Sequence, residues 1–350
     1  MPQQKRKILY TPYPNKPTDN GAQIKNVALL RELGYNVIGE PESWKDRIKF
    51  IIKSLRERDI DTVIVNFHEN LFRHRSGKIK ITGIPIYLVS LIIFRLMSKD
   101  LIYFKHNYYP HAFKKNWRRL IAIYLMRLGE TIATKRASFS PHLVKKKYNY
   151  IPHPLYELKT SDEIKTDKKV EGLNGDYYVI FGWIERYKGI DRIVAEWEKD
   201  SYLVIAGDCK PAEQNYLEDI KKLAIGKRVL FINRFIQDSE IQKVIRNSKG
   251  LILPNSGSDM IVSGSFYYGL SLNVPIYAIS SDFFEEICHQ STARGMPTPL
   301  IVAENPKQLV ERVGNDRLSI THEQLEDFKR HNFSDRQVKK HWEKLLVGVN

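Results

Sequence analysis

Ser263-Gly264-Ser265 stands just before an apolar and aromatic segment, residues 266–272, long enough for about two turns of helix. Ahead of it, Leu251-Ile252-Leu253 runs apolar until Pro254, and a polar loop follows at residues 255–259. Behind it, residues 274–279 resume an apolar run. The order is strand, polar loop, short helix, strand. It leaves amide N–H groups unpaired at a helix start, where the helix dipole also favours negative charge. The chemistry these residues suit is phosphate binding. An ordinary capped helix uses the same residue types. A second set consists of ionisable side chains just past apolar runs: His68-Glu69-Asn70 after residues 61–67, and His106 and His111 after residues 101–104. Open α/β sheets hold ligands at such places. Glu69, His106 or His111 could take a proton from a hydroxyl, with histidine suited to neutral pH. They could equally hold a ligand by hydrogen bonds, or serve as hydrogen-bonded loop residues. Cys209 and Cys288 are isolated and show no CxxC spacing, so no metal site is expected.

The frame for these groups is an alternation of strands and helices. Strands are expected at 7–10, 35–39, 61–67, 101–104, 137–140, 177–181, 202–206, 251–253 and 274–279. Helices are expected at 22–33, 44–58, 114 to about 128, 141–148, 192–197 and 335–346. Such alternation predicts an α/β protein with parallel sheets. A chain of 350 residues favours two domains over one core. Residues 84–97 are apolar on nearly every side but shorter than the roughly 20 residues that span a bilayer. They suit either a core helix or shallow membrane insertion. The basic N-terminus lacks the apolar region of a secretion signal, and the expected location is the cytoplasm.

Charge is unevenly spread. Residues 1–150 carry 29 Lys and Arg against 11 Asp and Glu, a net of +18; residues 151–350 carry 27 against 29, a net of −2, and together they make the +16 of the chain. The N-terminal half therefore suits a polyanionic partner or an anionic membrane. Lys114, Lys115, Arg118 and Arg119 lie beside Trp117 and Phe113 at an expected helix start, the pattern of a membrane interface. Four cations there oppose the helix dipole, which points to a demand from outside the helix. No RRM, KH or helix-turn-helix signature is present, so no nucleic acid is expected as partner.

Four pieces occur in order between residues 177 and 279. The first runs from Gly182 through the basic loop closed by Lys188-Gly189. Ile205-Ala206-Gly207 follows, then residues 229–236, and last residues 251–279 with Ser263-Gly264-Ser265 and Pro275. Together they resemble the C-terminal half of GT-B glycosyltransferases, of family 4 and the related bacterial exopolysaccharide mannosyl- and glucuronosyltransferase type. Residues 7–39, with Asn20-Gly21 after the first strand, resemble the first βαβ unit of a GT-B N-domain. His106-Asn107 with Pro110-His111 resembles a loop near the catalytic centre, and Ile151-Pro152-His153 resembles the strand that closes the first domain.

The resemblance implies two Rossmann-like domains with a cleft between them. The first, 1–154, would bind acceptor and face the membrane. Residues 155–175 would link it to a nucleotide-sugar domain, 176–331, and a helix in 332–350 would cross back to the first domain. It implies that Lys188 and Arg186 neutralise the donor diphosphate beside Gly182, and that Ser263, Gly264 and Ser265 bind its phosphates. Arg234 and Phe235 would cradle the base, Asp259 would lie by the sugar, and Asn20 and Gly21 would face the acceptor. The sequence departs from the family in two places. Met260 and Tyr268 stand where many members carry two glutamates eight residues apart, and Trp183 stands where an arginine often follows the glycine. The implied activity is transfer from a UDP- or GDP-sugar to a lipid-linked or polysaccharide acceptor at the cytoplasmic membrane face, without metal or resident cofactor. A nucleotide-sugar epimerase of similar fold, or a non-enzymatic RNA- or membrane-binding protein, would share the fold.

Overall fold

The computed structural model describes residues 6–14, 20–74, 78–109, 113, 116–158, 167–255, 261–316 and 319–348. Within them, apolar runs bounded by turn residues pair into two separate six-stranded sheets, parallel throughout. The chain divides into unit 1, residues 1–154 with 332–350, and unit 2, residues 155–331.

In unit 1 the elements run β1 (Lys7–Thr11), α1 (Gly21–Glu32), β2 (Asn36–Ile38), α2 (Trp44–Glu57), β3 (Ile60–Asn66), α3 (Gly83–Met97), β4 (Ser98–Lys105), α4 (Asn116–Ile132), β5 (Lys135–Ser138) and β6 (Asn149–Tyr150). The strand order is β2-β1-β3-β4-β5-β6. The chain steps one way from β1 to β2 and the other way afterwards, so right-handed crossovers put α1 on one face and α2, α3 and α4 on the other. Alternation along the strands supplies both faces. Val63, Val65, Leu101 and Tyr103 pack with Tyr87, Leu91 and Phe94 of α3 and with Leu125 and Met126 of α4. The segment after β6 is irregular from Ile151 onward, so the expected closing strand is only the pair Asn149–Tyr150. Helix α3 is a core helix on one side only. One side, with Tyr87, Leu91 and Phe94, is core, while Ile86, Val89, Ile92 and Leu96 lie exposed.

Unit 2 continues with α5 (Lys168–Glu171), β7 (Tyr177–Phe181), α6 (Ile190–Glu196), β8 (Tyr202–Ala206), α7 (Gln214–Leu223), β9 (Val229–Ile232), α8 (Asp238–Arg246), β10 (Gly250–Leu253), α9 (Gly264–Leu272), β11 (Ile276–Ile279), α10 (Asp282–Thr292), β12 (Ile301–Ala303), α11 (Pro306–Arg312) and α12 (His322–Phe333). Its strand order is β12-β11-β10-β7-β8-β9. The chain travels outward from β7 through β8 to β9, then returns to β10 on the other side of β7. Order therefore reverses between β7 and β10, which opens a crevice at their C-terminal ends. Part of the expected linker packs on this unit. Tyr156 N donates to Ser271 Oγ at 3.0 Å, Glu157 O accepts from Gln242 at 3.0 Å, and Val170 of α5 is buried.

The last helix, α13 (Asp335–Val347), belongs to unit 1. Its buried Trp342 lies against Phe104 and donates from Nε1 to Asn26 Oδ1 on α1 at 2.8 Å. Asn26 in turn donates to Ala22 O at 2.9 Å, so this buried polar pair is satisfied on both sides. Lys135 Nζ, at the start of β5, donates to Leu345 O at 3.0 Å, and Lys25 pairs with Asp335 at 3.0 Å.

Candidate functional site

The loop after β7 is zipped to the loop after β8. Gly182 N donates to Ala206 O and Ile184 N to Asp208 O, both at 2.9 Å, so the ladder runs on past the strand ends. The approach is close enough to demand glycine. A Cβ on Gly207, where φ is +155°, would lie 2.1 Å from Gly182 O. At Gly182, with φ +98°, a Cβ would lie 2.7 Å from Lys188 Nζ. On its other side the same loop reaches the one after β10, since a Cβ on Gly189 would lie 3.5 Å from Pro254 O. Three strand ends thus bring three loops together at the crevice.

Lys188 ends a 3-10 turn, Arg186–Lys188, and its Nζ donates to Phe181 O at 3.2 Å. Burial pushes this ammonium down to about 8; Glu185 opposes the shift and Lys210 adds to it. Arg186, the second cation expected from the sequence, is engaged elsewhere. Its guanidinium lies 4.7 Å over the Tyr216 ring and 3.6 Å from Asp219, both on α7. The second cation in the electrostatic reach of Lys188 is Lys210, which sequence reasoning missed. It pairs with Glu185 and sits 4.9 Å over the Trp183 ring. Its signal in the sequence was a cation three residues past the glycine that ends β8, on the neighbouring loop rather than the same one.

Ser263 is the N-cap of α9. Its Oγ accepts from Phe266 N at 3.3 Å, which leaves the amides of Gly264 and Ser265 for a ligand. Tyr156 OH stands by this helix start, 3.3 Å from where a Gly264 Cβ would be. Its ring packs on Tyr268 with centroids 4.1 Å apart, and Tyr268 meets Phe181 edge-on at 5.2 Å. The position of the family's second glutamate is thus an aromatic joint between α9 and β7. Asp259 and Met260 lie outside the described residues. Arg234 is held by Glu240, at 2.9 Å and 2.5 Å, so its guanidinium braces α8. Phe235 presents an exposed ring.

In unit 1, two of the residues expected to take a proton, His106 and Glu69, are buried. His106 Nε2 is 3.0 Å from Asn66 Oδ1, and its ring stacks on Phe67 at 3.8 Å. Burial, and then His153, push its pKa down to about 3, so it is neutral and only weakly basic at pH 7. Glu69 is buried in the 3-10 turn His68–Phe72, and its charge reaches the Tyr103 hydroxyl, whose pKa burial first, and Glu69 among nearby charges, push up. Beside them Lys105 and Glu130 form a buried ion pair at 2.6 Å. His111, Lys114 and Lys115 lie outside the described residues.

Asn20 caps α1, its Oδ1 accepting from Ala22 N at 3.0 Å, and Gly21 is the first residue of that helix. Trp117 is exposed, with Arg118 lying 5.1 Å over its ring. Arg119 instead donates to Phe113 O at 2.7 Å and lies 5.3 Å over Tyr109, which ties down the start of α4. Among the described residues, no three His, Cys, Asp or Glu side chains gather as a metal site.

Two parallel sheets of this topology, with the final helix returning to the first, define the GT-B architecture. The chain is similar to Anabaena HepE, solved in complex with UDP and glucose, at 12% identity and TM-score 0.65, covering 98% of this chain and 100% of that one. It is also similar to AviGT4, a glycosyltransferase involved in avilamycin A biosynthesis, at 12% identity and TM-score 0.57, covering 99% of each chain. A third likeness is to the pneumococcal O-GlcNAc transferase GtfA in complex with UDP and GlcNAc. There identity is 12% and TM-score 0.54, covering 85% of this chain and 59% of that one. No family profile and no curated protein matches the chain.

Proposed function

We propose that this chain is a glycosyltransferase that moves a sugar from a nucleoside-diphosphate sugar, UDP or GDP, to a lipid-linked or polysaccharide acceptor at the cytoplasmic face of a membrane. The observation that carries the reading is the crevice in unit 2, where Lys188 and Lys210 flank touching glycine backbones and, among the described residues, the Gly264 and Ser265 amides at the start of α9 have no partner. Sugar transfer leaves a diphosphate, and the charge that builds on it must be neutralised by fixed donors. Lys188, Lys210 and the Gly264 and Ser265 amides are such donors. That HepE and GtfA were solved with UDP supports a uridine nucleotide as the first choice of probe. The membrane face is supported by the +18 charge of residues 1–150.

The test is calorimetric titration with UDP and GDP, followed by turnover with radiolabelled nucleotide sugars and membrane lipid extracts. Binding of one nucleoside diphosphate at micromolar affinity is expected; no binding of either would end the reading. A product in which the sugar is altered while still on the nucleotide, with no acceptor present, would mark an epimerase instead.

Two outcomes follow from the charge arrangement. Lys210→Ala should weaken UDP binding about 10-fold or more while leaving uridine binding unchanged, because a hydrogen bond to a charged group contributes about 1.5–3 kcal/mol. Arg186→Ala, held on α7, should change it less than twofold. The opposite ranking would return the second cation to Arg186. Turnover should also persist in excess EDTA, since two ammonium groups supply the positive charge that other folds take from a divalent ion. Loss in EDTA, restored by magnesium or manganese, would refute metal independence.

A further inference from the structure

The helices that cover an α/β sheet normally turn a charged face to water. In unit 1, α2, α3 and α4 also turn large apolar side chains to water. On α2, Trp44, Ile48 and Ile52 are exposed at 72%, 37% and 61%. On α3, Ile86, Val89, Ile92 and Leu96 are exposed at 53%, 52%, 48% and 61%, and on α4 Trp117, Leu120 and Tyr124 at 53%, 67% and 68%. Each set recurs at three- or four-residue spacing, so each helix carries an outward ridge. Helix α3 packs between α2 and α4, so the three ridges lie side by side on one layer. Soluble monomers rarely leave contiguous apolar patches beyond a few hundred Å².

The charges around the ridges select the occupant. On α2, Lys45, Lys49 and Lys53 are exposed, each one residue after an exposed apolar side chain; the helix carries five cations against two exposed acids, Asp46 and Glu57, and so stays net positive. From Gly83 to Ile132 the only acids are Asp100 and Glu130. Asp100 pairs with Lys135 at 2.8 Å, and Glu130 is buried on Lys105. Helices α3 and α4 therefore show no free negative charge. Apolar ridges, tryptophans near helix starts and cations spaced to reach outward suit a boundary between acyl chains and anionic headgroups.

We infer that the outer surface of the α2–α3–α4 layer inserts into an anionic phospholipid bilayer, with its ridges below the headgroups and the α2 lysines among them. This rests on the membrane-facing part of the proposed function, and adds the surface and the mode, which is insertion rather than adsorption by charge. Salt screens exposed charge within a Debye length of about 10 Å at 0.1 M but leaves buried apolar contact intact. Residual binding in high salt is therefore expected.

The experiment uses the full chain and vesicles of phosphatidylglycerol with bromine on the acyl chains. Tryptophan fluorescence should be quenched, and the quenched part should shrink in Trp44→Phe and again in Trp117→Phe. Ile86→Glu combined with Leu96→Glu should release the protein at least tenfold in co-sedimentation, with an unchanged melting temperature. No quenching in wild type would overturn the inference, as would equal binding to phosphatidylcholine vesicles. So would a dimer in vesicle-free solution that the same two substitutions split, because the face would then belong to a second copy. None of these readouts needs a nucleotide, so their failure is distinct from a failure of the donor site.

Discussion

Lys188→Ala is expected to bind UDP about 10- to 150-fold more weakly and to lose about 10²–10³ in turnover, with the fold intact. The side chain is half-buried at the mouth of the crevice and donates to Phe181 O among the described residues. What is lost is a fixed positive charge beside the proposed diphosphate site. The same residue sets a pH dependence. Burial holds the free ammonium at about 8, so it is charged below that pH and neutral above. A phosphate that needs the charged form binds at full strength below pH 8. Affinity then falls by up to about tenfold per pH unit until it meets that of the alanine variant. Lys188→Arg, always charged, should keep its affinity to pH 10. A wild-type affinity that is flat from pH 7 to pH 10, or an alanine variant equal to wild type, would falsify the assignment of Lys188 to the diphosphate.

A steep loss of unit 1 stability below pH 6.5 is the second large effect. His68, His106 and His153 all lie in this unit, and burial pushes them down to about 4, about 3 and about 3 respectively. The sign follows from linkage. Unfolded histidine binds its proton near pH 6.5, whereas these folded ones bind it only near pH 3 to 4. As pH falls through 6.5 the unfolded chain gains protons that the folded unit refuses. Stability present in full above pH 6.5 is lost progressively below it, by about 1.4 kcal/mol per histidine per pH unit. Three together exceed about 4 kcal/mol per unit, against a total of about 5–15 kcal/mol for a typical domain. Trp342, buried against Phe104 in this unit, reports the transition by fluorescence. Urea titrations from pH 7 down to pH 5, above the range of ordinary carboxylates, should show an uptake on unfolding that rises from below one proton at pH 7 to near three at pH 5. An uptake of one or less at pH 5 would mean that these rings are solvated.

What the sequence by itself determined here was local. Strands such as Tyr177–Phe181 and Tyr202–Ala206 stand where β-branched and aromatic residues run between turn residues. Helix starts follow short side chains able to accept from the first amides, as Asn20 and Ser263 do, within three residues of their partners; the one capped by Asp167 lies in the segment expected as linker. The glycines at 182 and 207 mark the two loops whose backbones touch, and Lys188 stands in one of them. Such signals act over a few bonds, so a linear reading recovers them.

Tertiary structure decided whatever depends on which distant segment lies alongside. Arg186 and Lys210 are both cations on loops, and nothing local ranks them. The ranking came from parallel pairing of β7 with β8, which lays residues 182–184 against 206–208, and from the position of α7, whose Tyr216 and Asp219 capture Arg186. His106 and Glu69 read as exposed bases because polar residues past a strand end usually meet solvent. Packing by Phe67, Phe104 and Tyr103 buried them instead, and burial, rather than residue type, set the basicity of His106. Helix α3 is apolar all round, so composition could not say which side faces the sheet. Packing of Tyr87, Leu91 and Phe94 into the core on the sheet chose it, and left Ile86, Val89, Ile92 and Leu96 uncovered.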